Sequence, residues 1–196
     1  KATSPAVSAN RKAFPMSDQH IASAFDRDLE AIQAQIMKMG GLVEQAIMLG
    51  AQSLEKRDIE LAEKVRADDK AIDALEELIN VEAARVIALR APTAIDLRLV
   101  LSVMKISANL ERIGDYAKNM AKRTSVLVGM APVNDSAAAL RRMAREVERM
   151  LADALDAYVQ RDAEIAQDVI DRDAEVDQMY NALFRELLTF MLEDPR

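Results

Sequence analysis

Ser107–Lys122, SANLERIGDYAKNMAK, decides the reading of this chain. Within it Leu110, Ile113, Ala117 and Met120 recur at steps of three and four, and the rhythm extends back through Leu99, Val103 and Ile106. Such spacing places them along one side of an α-helix, as a core-facing seam. Glu111 and Asp115 stand beside the seam, four residues apart, projecting from the same side with about 6 Å of rise between them. Ser107 and Asn119 extend this row of oxygen-bearing side chains by one step at each end. The row runs along the shoulder of a buried face, partly dry and partly within reach of a solute.

Outward from that helix, the chain is a series of long helical segments with short punctuation. The third helix, Ala94 to about Leu127, follows Arg90-Ala91-Pro92-Thr93, where proline cannot continue a helix and restricts the residue before it. Ahead of it a second helix spans about Ile59–Leu89 and buries Ala62, Val65, Ile72, Leu75, Ile79, Val86 and Leu89. Asp58 is its N-cap. The first helix starts near Asp18–Ser23 and runs to about Lys56, with Leu29, Ile32, Ile36, Met39, Val43, Ile47 and Leu54 inward. Gly40-Gly41 within it calls for a bend or a close crossing. Beyond the third helix, Gly129, Pro132 and Asn134 mark a connection, and Asp135 or Ser136 caps a fourth helix reaching Gln160. A fifth runs from Ala163 to about Leu192. Residues 1–15 have no helical period; they read as an extension outside the fold, with a natural start at Met16, and His20 reads as incidental.

An internal repeat appears at an offset of about 104 residues. Lys56-Arg57-Asp58-Ile59-Glu60-Leu61-Ala62 aligns with Gln160-Arg161-Asp162-Ala163-Glu164-Ile165-Ala166, and Asp69, Ile72 and Asp73 fall on Asp173, Val176 and Asp177. Helices four and five thus repeat helices one and two. The expected fold is all-α: a three-helix bundle over 16–130, then over 131–196 a helical hairpin of a second, incomplete bundle. By the same logic a sixth helix with a second carboxylate pair would follow Pro195. The hairpin's apolar face, including Leu151, Leu155, Ile165, Val169, Val176, Leu183 and Leu187, is expected to lack its third partner, and such a face marks an interface.

Composition narrows the function. The 196 residues are 51% hydrophobic, with 4% aromatics, five glycines and five prolines, the palette of a helical protein. Without cysteine there is no disulfide, thiolate metal site or cysteine nucleophile, which suits a reducing compartment. No apolar run reaches the roughly 20 residues that cross a bilayer, and a cytoplasmic location is expected. A net charge of −7 argues against nonspecific nucleic-acid binding. The eleven methionines, at helical spacing, read mostly as core fillers.

Pro92, Ala94, Asp96-Leu97-Arg98, Lys105, Leu110-Glu111-Arg112-Ile113-Gly114-Asp115, Ala117 and Asn119 resemble the motif of the PhoU family, accessory proteins of the phosphate-specific transport system; Met120 replaces the family's usual isoleucine. The resemblance implies tandem three-helix bundles, a homodimer, and regulation rather than catalysis. It implies an adaptor docked on the phosphate ABC transporter's ATPase component and a sensor histidine kinase, restraining phosphate uptake and the starvation response. Membrane association would then come only through partners. Family proteins carry an E-x-x-x-D motif in each half, associated with metal; Glu111 and Asp115 match the first, and a second is absent.

Two readings of the row stand side by side. In the plain one, Glu111 and Asp115 form a solvated face paired with Arg112, Lys118 and Lys122. In the functional one they hold a cation, with Ser107, Asn119 and Asp96 as further ligands or lining residues. All-oxygen donors suit Mg²⁺, Ca²⁺ or Mn²⁺, and carboxylate bridging would allow iron. Gly114, costing about 1 kcal/mol against alanine in mid-helix, signals close approach of a helix or ligand. Arg98 and Arg112 are candidate anion or partner contacts, although Asp96 also suits the helix dipole and Arg98 a salt bridge. The competing classes are a carboxylate-bridged di-metal oxidase, which wants Glu-x-x-His pairs absent here, and a purely structural helical adaptor.

Overall fold

The structure, a computed structural model, describes residues 16–130 and 136–193, with side chains described from residue 24 onward. The expected extension at 1–15, the side chain of His20 and the Asp135 cap lie outside the described residues. Among the described residues six helices follow one another: α1 (Met16–Lys56), α2 (Ile59–Arg90), α3 (Ala94–Lys122), the single turn α4 (Thr124–Leu127), α5 (Ser136–Gln160) and α6 (Ala163–Glu193).

The caps explain where the long helices stop. Arg57 takes a left-handed φ of 56°, and the next N–H, of Asp58, donates back to the Ser53 carbonyl at 2.9 Å. Asp58 then caps α2 by accepting from the Leu61 N–H at 2.9 Å. The repeat reproduces this turn 104 residues later. Arg161 has φ 55°, Asp162 N–H donates to the Ala157 carbonyl at 3.0 Å, and the Asp162 carboxylate accepts from the Glu164 and Ile165 amides. α2 ends at Ala91, also left-handed, ahead of Pro92. The third helix does not run unbroken to Leu127. At Arg123 the bonding tightens to Met120, and buried Thr124 shares a 3.0 Å hydrogen bond with Ser53 of α1, turning the last residues into the separate turn α4.

α1, α2 and α3 each pack on the other two and close a core around Ile36, Met39, Val43, Ile72, Ile79 and Val86. The expected inward positions of α1 are buried, Leu29 only partly. On α2, Leu89, in the last turn, is 64% exposed, and Asp69 is buried in the stripe instead. The buried face of α3 is rotated from the expected seam: Val100, Val103, Ser107, Leu110, Gly114, Ala117 and Ala121 are buried, whereas Leu99, Ile106, Ile113 and Met120 are half-buried on its flank. The small residues let α2 come close. A Cβ on Gly114 would stand 3.0 Å from Ile72 Cδ1.

α5 and α6 form the hairpin, and Arg172 of α6 latches it through Glu146 and Asp153 of α5. α5 lies against α1 where Gly40 leaves room; a Cβ there would come within 2.3 Å of Leu155. Leu151 and Leu155 are consequently buried in the common core, contrary to the expectation that they lack a partner. The rest of that face, Ile165, Val169, Val176, Leu183 and Leu187, is only half-buried, and α6 has no buried residue.

Candidate functional site

The antiparallel packing of α2 on α3 sets two short rows of charge against each other. Asp69, Asp73 and Glu76 follow one another on α2; Glu111, Asp115 and Lys118 do so on α3. Asp69 occupies a slot of the buried stripe between Val65 and Ile72, and its side chain is only 5% exposed. Lys118, whose side chain is 36% exposed, reaches across: Nζ donates to Asp69 Oδ2 at 2.5 Å and to Asp115 Oδ1 at 2.8 Å. These two hydrogen bonds, foremost that to Asp115, raise the lysine pKa well above the ordinary range. Glu111 sits one turn along with its pKa raised, first by burial and then by Asp115, Glu76, Asp73 and Asp69 around it. Asp73 moves the same way, through the protein packed at its base and then Asp69, with Lys118 opposing. Glu76 accepts from the Asn80 amide at 3.2 Å.

The other expected site residues do not converge here. Ser107 lies fully inside the core and spends its hydroxyl on the Met104 carbonyl at 2.9 Å. Asn119 is exposed one turn past Asp115. Asp96 and Arg98 are exposed near the start of α3, roughly 20 Å along the helix from Glu111. Arg112 is exposed and points along its own helix, donating from Nε to Tyr116 Oη at 2.9 Å with its guanidinium 5.7 Å from that ring's centre. Asp69, Asp73 and Glu76 are neighbours that the ligand set read from sequence does not contain. Their signal is a carboxylate standing in the apolar phase of α2, repeated by Asp173 at the matching position of α6.

The donor chemistry is that of a hard cation, all carboxylate oxygen. The arrangement is not: among the described residues no three ligating side chains converge on one point. Asp69 and Asp115, the donors drawn together across the interface, are already bridged by an ammonium. As arranged, these residues do not fit a bound metal. On the opposite flank of α3, Ile47, Ile113, Tyr116, Met120, Met143 and Val147 line an open apolar groove of about 260 Å³.

Comparison with known proteins gives a consistent picture. A model of the PhoU domain matches residues 36–124 and again 140–196, two matches that begin 104 residues apart, the offset of the repeat. The chain is 42% identical over 181 residues to a phosphate-specific transport system accessory protein PhoU homolog of Rhizobium meliloti, covering 92% of this chain and 76% of that protein. A homolog of the same description from Zymomonas mobilis is 46% identical over 175 residues, 89% and 73% of the two chains. The crystal structure of PhoU from Pseudomonas aeruginosa superposes with a TM-score of 0.83 at 38% identity, over 88% of this chain and 82% of that one. That of the phosphate transport system regulatory protein PhoU from Streptococcus pneumoniae gives 0.78 at 31%, over 87% and 80%.

Proposed function

We propose a role that proceeds from the family of this chain, for it belongs to the PhoU domain family: it is a regulatory accessory protein of phosphate-specific transport. The observation that carries this is the agreement of relatives at about 40% identity over nine-tenths of the chain, all described as accessory proteins of that system. In this reading the chain works in the cytoplasm as an adaptor and not as a catalyst. It couples the transporter's ATPase component to a sensor histidine kinase and restrains both uptake and the starvation response. It acts as a homodimer, with 16–130 as the first bundle and 131–196 as part of the second. Among the described residues no helix is long and apolar enough to cross a membrane, so attachment to the membrane would run through the transporter. Helices of 25 to 41 residues, offering long faces, support an adaptor.

The test is capture from membranes that contain or lack the phosphate transporter, together with repression of a starvation-responsive reporter. Transporter-dependent capture and restored repression in cells lacking their own copy are expected. Equal capture from both membranes with no repression would remove the reading. The Glu111→Ala, Asp115→Ala double variant is expected to fold and to lose repression if the α2–α3 face carries the signal.

A further inference from the structure

We infer that Lys118 is the resident cation of the α2–α3 acidic face, so that a divalent ion bound between Asp69 and Asp115 competes with a side chain of the protein itself. Three observations carry this, independently of the regulatory role. First, Asp69 is buried, and a buried carboxylate must be paired; Lys118, 49 residues away in sequence, is the partner it has. Second, the same ammonium nitrogen holds Asp115 at 2.8 Å, so the carboxylates of two helices meet at one positive charge. Third, Arg112, the cation next to Glu111 in sequence, is committed to Tyr116 and forms no ion pair among the described residues.

An ion coordinated by Asp69 and Asp115 would need oxygens at about 2.0–2.6 Å, depending on the metal. That is the space Nζ fills, and two cations cannot share it. The lysine thus does for this face what a metal would do: it joins α2 to α3 and offsets the repulsion of the carboxylates. It does so without depending on the metal content of the medium. Because the tether is a flexible four-carbon stem, the exchange is reversible in principle, and its balance is set by Lys118.

Manganese binding decides the matter, followed on the full chain by electron paramagnetic resonance and by melting in the presence of chelator or Mn²⁺. The wild-type chain is expected to show no saturable site up to about 1 mM Mn²⁺ and the same melting point in both media, since without differential binding there is no mass-action shift. Lys118→Met is expected to melt about 5 °C lower in chelator, because Asp69 loses its partner. It is further expected to gain a saturable Mn²⁺ site, at least tenfold tighter than any in the wild type, and to recover its melting point on binding. Glu111→Gln in the Lys118→Met background should weaken that site. A saturable wild-type site as tight as that of the variant would overturn the inference, as would a folded Lys118→Met chain that gains none. Should Lys118→Met fail to fold, Lys118→Gln takes its place beside the wild-type titration, and the same two results would overturn the inference.

Discussion

Glu44 of α1 and Glu148 of α5 occupy the same position of the 104-residue repeat, and the packing of α5 on α1 brings them within electrostatic reach of each other. Burial, then Glu148, then Asp156 push the Glu44 pKa above its ordinary value of about 4.5. A carboxyl whose pKa is raised on folding binds protons better in the folded state, so its ionisation opposes folding. Its contribution is most favourable below the unfolded pKa and is lost as pH rises through the raised folded value. Glu44→Gln should therefore stabilise the chain at pH 7 by roughly 0.5 kcal/mol after solvent screening. That gain should fade as pH is lowered through the window just above 4.5. Urea melts of both proteins at pH 7 and at low pH check it. A gain that persists in acid would locate the effect in packing.

At the scale of the helix, three glycines of α1 serve different ends and predict different outcomes. Gly41 faces open space, so Gly41→Ala should add about 0.5–1 kcal/mol through helix propensity alone. Gly50 is pressed by α3: a Cβ there would stand 3.1 Å from the Ala117 carbonyl oxygen and 2.9 Å from Met120 Cε. A methyl can bend the Met120 side chain aside, but the carbonyl belongs to a helix backbone and cannot yield cheaply. Gly50→Ala should accordingly lose the propensity gain and destabilise by about 1–3 kcal/mol, the range for overpacking. Gly40 meets the end of the Leu155 side chain, where α5 seats on α1. Differential scanning calorimetry of the 41 and 50 variants separates propensity from packing; a stabilised Gly50→Ala would show that α3 is free to move away.

At the scale of the molecule, among the described residues the second repeat is held to the first by α5, and α6 touches only its hairpin partner. Its face carries the stacked rings of Tyr180 and Phe184, 6.1 Å apart, and Leu192 is 83% exposed. A row of large apolar side chains of this extent favours association, and symmetric dimers are the commonest outcome. Light scattering at tens of micromolar, an order of magnitude that populates weak interfaces, should report an oligomer. Phe184→Glu with Leu188→Glu should return it to monomer while leaving far-UV circular dichroism intact. A monodisperse wild-type monomer under those conditions would count against the face as an interface.

What the sequence by itself determined is what local chemistry controls. The proline after Ala91, the aspartate caps at 58 and 162 and the apolar periods set the long helices and the repeat, because each acts within a few residues of chain. The charge row of α3 was equally legible, down to Glu111 and Asp115. Tertiary structure decided the rest. Ser107 went inside because a small residue permits close packing, a property that hydrophobic periodicity does not register; Gly114 signalled a close approach in the sequence, and the fold supplied the neighbour, Ile72 of α2. Lys118 as the partner of Asp115 stands three residues on in the same helix and was legible in the sequence, whereas the antiparallel register of α2 on α3 alone brings Asp69 to that lysine across 49 residues. Leu151 and Leu155 found cover because Gly40 lets α5 sit down on α1. In each case a contact between distant segments chose among faces that the local pattern had left equivalent.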